Sequence, residues 1–273
     1  MSDDEVGVTV FSAVAALICW VWWYGSTLST IPVQVTGRTP SRALLLVTPL
    51  LSAALLFMIL RLWAAVDVRD DGRYMTMYTL MGLAVSGIAT FIPTWLGISF
   101  QHDVLQRSNR SAAWVACGWT VGAMLAFSGA NIGDGPGWWV VVFSAMLSMG
   151  SLLLMFVAWQ FLTGSHDAIT IDRDLATGLR MASMFVGCGA VLGVSVAGNW
   201  VSVEATTSDF CMRAWPALII FILAIAFHAV LKPTPESPKP PVFIAGVLPS
   251  LFLLSMAVVW LLIAGPKVTG VPG

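Results

Sequence analysis

The sequence predicts an all-α fold, a polytopic transmembrane helix bundle, and three observations carry that prediction. Of 273 residues, 58% are hydrophobic and only 10% are charged, whereas a soluble domain carries about 25% charged residues; mean hydropathy is +0.87. Eight apolar runs have the length of about 20 residues that a helix needs to cross roughly 30 Å of hydrocarbon. A glycine-rich run within 109–139 is repeated in plan within 174–200.

The runs lie at about 6–28, 43–66, 75–99, 112–132, 137–162, 176–200, 214–231 and 242–264. Ahead of the first, residues 1–5 hold three acids and no Lys or Arg. That lacks the positive start of a cleaved leader, so the run reads as a retained transmembrane helix. Polar connectors such as Gly37-Arg38-Thr39-Pro40 and Arg69-Asp70-Asp71-Gly72-Arg73 separate the next runs. The seventh run is the shortest. Residues 232–241 hold five prolines; each lacks an amide donor and clashes with a preceding helical turn, so this is a stiff link setting the last helix apart. The connectors are too short for a second soluble domain. The expectation is one membrane domain over 1–273, with two helices in 1–74, a four-helix core in 75–200 and two helices in 201–273.

Charge narrows the partners. A net charge of −1 and no basic run leave no face for nucleic acid, so the expected partners are the lipid bilayer and other membrane proteins or a second copy. Alternate loops hold Arg38, Arg42, Arg107, Arg110, Arg173, Arg180, Lys232 and Lys239 on one side, against Arg61, Arg69, Arg73, Arg213 and Lys267 on the other. Basic residues are retained in the cytoplasm, so both termini are expected outside it. Many of the thirteen tryptophans, among them Trp20, Trp22, Trp23, Trp95, Trp138, Trp139, Trp200 and Trp215, fall near helix ends, where an indole suits headgroup depth. Cys19, Cys117, Cys188 and Cys211 are widely spaced and predict neither disulfides nor a metal site.

Setting Asn109 over Asp174, an offset of 65, places Ser111-Ala112-Ala113 over Ala176-Thr177-Gly178 and Gly122 over Gly187. Each copy opens on a helix N-cap residue, Asn109 or Asp174, and closes near Asn131 or Asn199. Small residues let membrane helices approach closely. Gly118 and Gly122 in the fourth run, with Gly187, Gly189 and Gly193 in the sixth, therefore predict that these two helices pack together.

Over about 75–200, and on Asn109-Arg110-Ser111-Ala112-Ala113 with its weaker echo Asp174-Leu175-Ala176-Thr177-Gly178, the chain resembles the bacterial inner-membrane family known as domain of unknown function 350. The resemblance implies a four-helix core built of two such repeats and an inner-membrane location. It implies no activity.

Candidate sites are few. Ionisable groups at a helix midpoint usually mark transport, and Arg180 falls early enough in its run to snorkel to the interface. His228 reads as an interfacial histidine. His102 and His166, with Asp103, Asp167, Asp172 and Asp174, would make a metal or proton site only if their loops converge. Gly133-Asp134-Gly135-Pro136-Gly137 lacks the Lys-Ser/Thr of a phosphate loop and reads as a tight outward turn. Asp134 with Asn131 and Asn199 is the best polar cluster on that side. No catalytic signature appears and no cofactor or metal is implied. The expected function is a non-enzymatic structural or interaction component of a membrane assembly. The alternatives are a transporter or channel for a small solute, favoured by a wet cavity around Asn131, Asn199, Thr120 and Ser128, and a membrane redox or metal-binding subunit.

Overall fold

The computed structural model describes residues 1–33, 40–234 and 241–266. Residues 37–39 of the first connector, most of the proline link, and Arg38, Lys239 and Lys267 lie outside the described residues. In chain order the helices are α1 (Asp3–Ser29), α2 (Pro40–Trp63), α3 (Val66–Asp70), α4 (Gly72–Ala89), α5 (Ile92–Trp95), α6 (Arg110–Gly129), α7 (Trp138–Thr163), α8 (His166–Thr170), α9 (Leu175–Val196), α10 (Val203–Arg213), α11 (Trp215–Leu231) and α12 (Leu248–Ala264). Two π-helical turns, Phe100–Gln106 and Phe243–Val247, precede α6 and α12.

Among the described residues, seven helices are long and apolar enough to span a bilayer, and α10 with α11 makes an eighth unit bent by 42°. The bend corrects the seventh predicted run, which begins at 214 and omits α10. Pro216 has no amide to continue a helix, so α11 starts afresh after Ala214, and Ser202 caps α10 by accepting from Ala205 N at 3.1 Å. The third run, 75–99, starts earlier, at Gly72, and forms one span to Trp95 in which α4 stops at Ala89 and α5, with Pro93 in its first turn, carries on. Ahead of α4, Asp71 accepts from Arg73 N at 2.8 Å. The hydrogen bonds from Arg73 hold its carboxyl below the usual range.

Helices α2, α6, α9 and α12 lie side by side and run the same way. Ala64, after α2, pairs with Ile132, after α6, and Gly198 N, after α9, donates to Ile132 O at 2.9 Å. Arg213 joins the ends of α9 and α12 by donating to Ala197 O at 2.8 Å and Ala264 O at 3.4 Å. The alternate helices run the opposite way: Trp119 of α6 donates to Ala89 O of α4 at 2.7 Å, while Phe127, further along α6, lies against Gly82, earlier in α4. The end bearing Ile132 and Gly198 is termed the corner face, and the end bearing Asn109 and Asp174 the cap face. In α6 and α9 the apolar windows are 83% buried, against 22% in α1 and the last helix, so the two glycine-rich helices form the centre and the terminal helices its lipid-facing rim. Trp23 departs from the tryptophan belt: it is buried, stacks on Phe100 at 4.6 Å and donates to Leu45 O at 3.1 Å.

Backbone geometry recurs at the 65-residue offset. Ser108 and Arg173, each before a cap, both adopt φ 55°, and Gly133 and Gly198 are both left-handed at 113° and 149°. Asn109 N donates to Asp103 O at 2.9 Å, and Asp174 N to Ala168 O at 2.8 Å. Asn109 accepts from Ala112 N, and Asp174 from Ala176 N and Thr177 N. A cap requires only an acceptor oxygen, so Asp replaces Asn in the second copy without loss of that role.

Candidate functional site

The glycines place α6 and α9 at the closest approach backbones allow. A Cβ on Gly118 would lie 2.5 Å from Ala182 Cα, one on Gly122 2.4 Å from Phe185 O, one on Gly189 2.2 Å from Gly122 O, and one on Gly193 2.5 Å from Leu125 O. Gly129, which the sequence reading passed over, is tighter still, its Cβ position 2.1 Å from Gly193 O. Gly187 is a correction. Two residues from Gly189, it is turned about 200° around the helix and faces Ile220 of α11 with Leu253 and Ala257 of α12, at 3.5 Å or more.

Hydrogen bonds close the two ends of this seam. On the cap face Asn109 Nδ2 donates to Ile169 O and Ser111 Oγ to Asp174 O, both at 2.7 Å. On the corner face Asp134 N donates to Asn199 Oδ1 at 2.9 Å and Trp200 N to Asp134 O at 2.8 Å. Along the seam, Thr120 and Ser128 donate to carbonyls of their own helix, Ala116 O at 2.9 Å and Met124 O at 2.7 Å. Neither lines a cup with Asn131 and Asn199.

Asn131, Asp134 and Asn199 do come together, in a cup of about 60 Å³ that opens on the corner face. Ser144 and Tyr78 are in its wall, and exposed Asp67 and Asp209 join Asp134 there. Asn131 is 5% exposed; its Nδ2 donates to Phe127 O at 2.9 Å, while its Oδ1 is buried without a donor. Trp200, also in the wall, meets Trp139 edge-on at 5.0 Å.

Arg180 does not snorkel. It is 0% exposed, donates to Ala245 O in the π-helical turn before α12 and to Thr177 Oγ1 at 2.9 Å, and lies 3.4 Å from His228 Nδ1. His228, 3% exposed and in the last turn of α11, packs on Trp159 at 5.6 Å between ring centres. Sequence reasoning missed this cluster because its members lie on three helices; the one signal was a cation and an imidazole in apolar runs.

On the cap face His102, His166, Asp103 and Asp174 are used locally. His102 Nδ1 pairs with Gln106 Oε1 at 2.8 Å, and the His166 ring fills the space beside Gly97. Asp103 accepts from Ser99 N at 2.9 Å and Arg107 at 3.4 Å, and Asp174 caps α9. Among the described residues, no three His, Cys, Asp or Glu side chains are grouped to hold a metal ion.

The fold and this polar end define a multi-pass α-helical membrane protein with a tightly sealed central helix pair. The chain matches no family model, no curated protein and no solved structure.

Proposed function

We propose that the chain is a non-enzymatic structural or interaction component of a membrane assembly. The observation that carries this reading is the α6–α9 seam. Its glycines bring backbone against backbone at distances that leave no room for a methyl group, and Asn109 and Asn199 tie its two ends. A closed, cross-tied pair suits a rigid mount for neighbouring proteins better than a rocking transport path. The repeat and its caps agree with a place beside the domain of unknown function 350 family. The chain sits in a bacterial inner (plasma) membrane with both termini outside the cytoplasm: Arg42, Arg107, Arg110, Arg173 and Lys232 lie on the cap face against Arg61, Arg69, Arg73 and Arg213 on the corner face, and basic residues are retained in the cytoplasm.

Purification of the native complex under mild detergent is expected to return a stable partner or a second copy. Transport of a defined ion or solute by the reconstituted chain in liposomes would overturn the reading in favour of a transporter.

A further inference from the structure

We propose that the cup on the corner face is a binding site for a small primary ammonium group. The inference goes beyond the scaffold reading and stands independently of it.

Asn131, in the lining of the cup, carries a buried acceptor that lacks a donor. Asn131 spends its Nδ2 on Phe127 O at 2.9 Å, which fixes the amide and leaves Oδ1 without a partner. A buried polar atom left unpaired costs about 1–3 kcal/mol, so the site is completed by a ligand that brings an N–H or O–H. Ser144 and Tyr78, themselves buried in the wall, supply hydroxyls able to accept as well. The rim fixes the charge of that ligand. Asp134 and Asp209 have no side-chain hydrogen bond or ion pair among the described residues, and Asp67 uses one oxygen on Val68 N at 2.9 Å. Trp200 adds an aromatic ring, a surface that attracts cations. The surrounding face is net acidic, with Asp3, Asp4, Glu5, Asp70, Asp71 and Glu204 outnumbering Arg61, Arg69, Arg73 and Arg213, so its field draws cations in.

The donor set of the cup then chooses among cations. Its carboxylates are not grouped for direct metal ligation, whereas a primary ammonium brings three N–H donors that separate acceptors can share. A quaternary ammonium has no donor for Asn131. The ammonium has two possible sources, a soluble amine or the ethanolamine headgroup of a lipid, because Trp138, Trp139 and Trp200 place the cup near headgroup depth.

The test uses the full chain in nanodiscs, read by calorimetric titration and thermal midpoint, with sodium chloride matching ionic strength. In phosphatidylcholine discs, methylammonium and ethanolamine are expected to bind saturably and raise the midpoint, and tetramethylammonium to do neither. If only discs containing phosphatidylethanolamine raise the midpoint, the source is the headgroup, and the site still stands. Asp134→Asn with Asp209→Asn, both on the exposed rim, is expected to weaken binding about tenfold, and Asn131→Leu to abolish it. The proposal is overturned if no primary amine and no ethanolamine lipid has an effect, if tetramethylammonium binds as well as methylammonium, or if the double rim variant binds like wild type.

Discussion

Replacing Gly122 with alanine is the most direct test of the central seam. The added methyl would sit 2.4 Å from Phe185 O, about 1 Å short of the 3.4 Å at which ordinary contact begins. The obstacle is backbone, so no rotamer change relieves it, and α6 and α9 must part along the line that also holds Gly118, Gly189 and Gly193. Overpacking of this kind costs about 1–3 kcal/mol, and the helix gains back about 0.5–1 kcal/mol when glycine becomes alanine. The difference of these ranges is a net loss of about 0–2.5 kcal/mol, and the 2.4 Å approach to backbone places Gly122→Ala in its upper half, where the folded-to-unfolded ratio falls by about 10-fold or more. Reversible unfolding in mixed micelles measures it, with Gly129→Ala expected to be at least as damaging. Gly187→Ala is the internal control: its methyl meets Ala257, Leu253 and Ile220 at ordinary distance, so stability should hold or rise. Gly150→Ala, with nothing within 4 Å, should behave the same way. If Gly122→Ala matched Gly187→Ala, the seam would not be the closest contact of the fold and the reasoning would fail.

Other expectations are equally specific. Asn109→Ala removes both a cap and the bond to Ile169 O and should cost about 2–4 kcal/mol; Asn109→Asp keeps the cap but turns a buried carboxylate oxygen against Ile169 O, so it should not be milder, as chemical denaturation would show. Arg180→Met leaves Ala245 O and His228 Nδ1 without their donor and should lower stability by about 1–3 kcal/mol. Arg180→Lys should not rescue it, because one ammonium cannot span the partners of a guanidinium fork; a shift in the emission of Trp159, which packs on His228, would report the change. In a Cys211→Ser background, a membrane-impermeant maleimide should label Gly135→Cys in intact cells and Asp172→Cys only after lysis; the reverse pattern would invert the topology.

Much of this architecture is visible before any coordinates, and the reasons are physical. Bilayer thickness imposes run length, so the helices declare themselves, and backbone contact in lipid demands small residues, so Gly118, Gly122, Gly189 and Gly193 point to a close helix pair. What stays hidden depends on angle and distance along the chain. Gly187 lies in the same glycine ladder, yet its rotation about the helix sends it to α11 and α12. Gly129 makes the tightest approach, but nothing in its neighbours Ser128 and Ala130 marks it. Arg180 and His228 are 48 positions apart, and only the packing of α11 and α12 on α9 buries them together. At the corner face, Asn131, Asp134 and Asn199 stood out as polar residues beside helix ends, whereas Asp67, Tyr78 and Asp209 belong to segments with no local sign of joining them.

The order in which the helices are made gives the seam a further consequence. The tightest interface joins α6 to α9, but α7 and α8 intervene in the chain, so a nascent α6 enters the membrane before its principal partner has been synthesised. Until α9 arrives, the glycine stripe of α6 is covered by lipid or by α2 and α4. The N-terminal half, ending near Gly135, is thus an intermediate that carries an unfilled groove, and the C-terminal half carries the ridge that fits it. Expressed as two polypeptides divided in the turn at 135–137, the halves should find one another in the bilayer and restore the bundle, an outcome that pull-down of one tagged half would reveal.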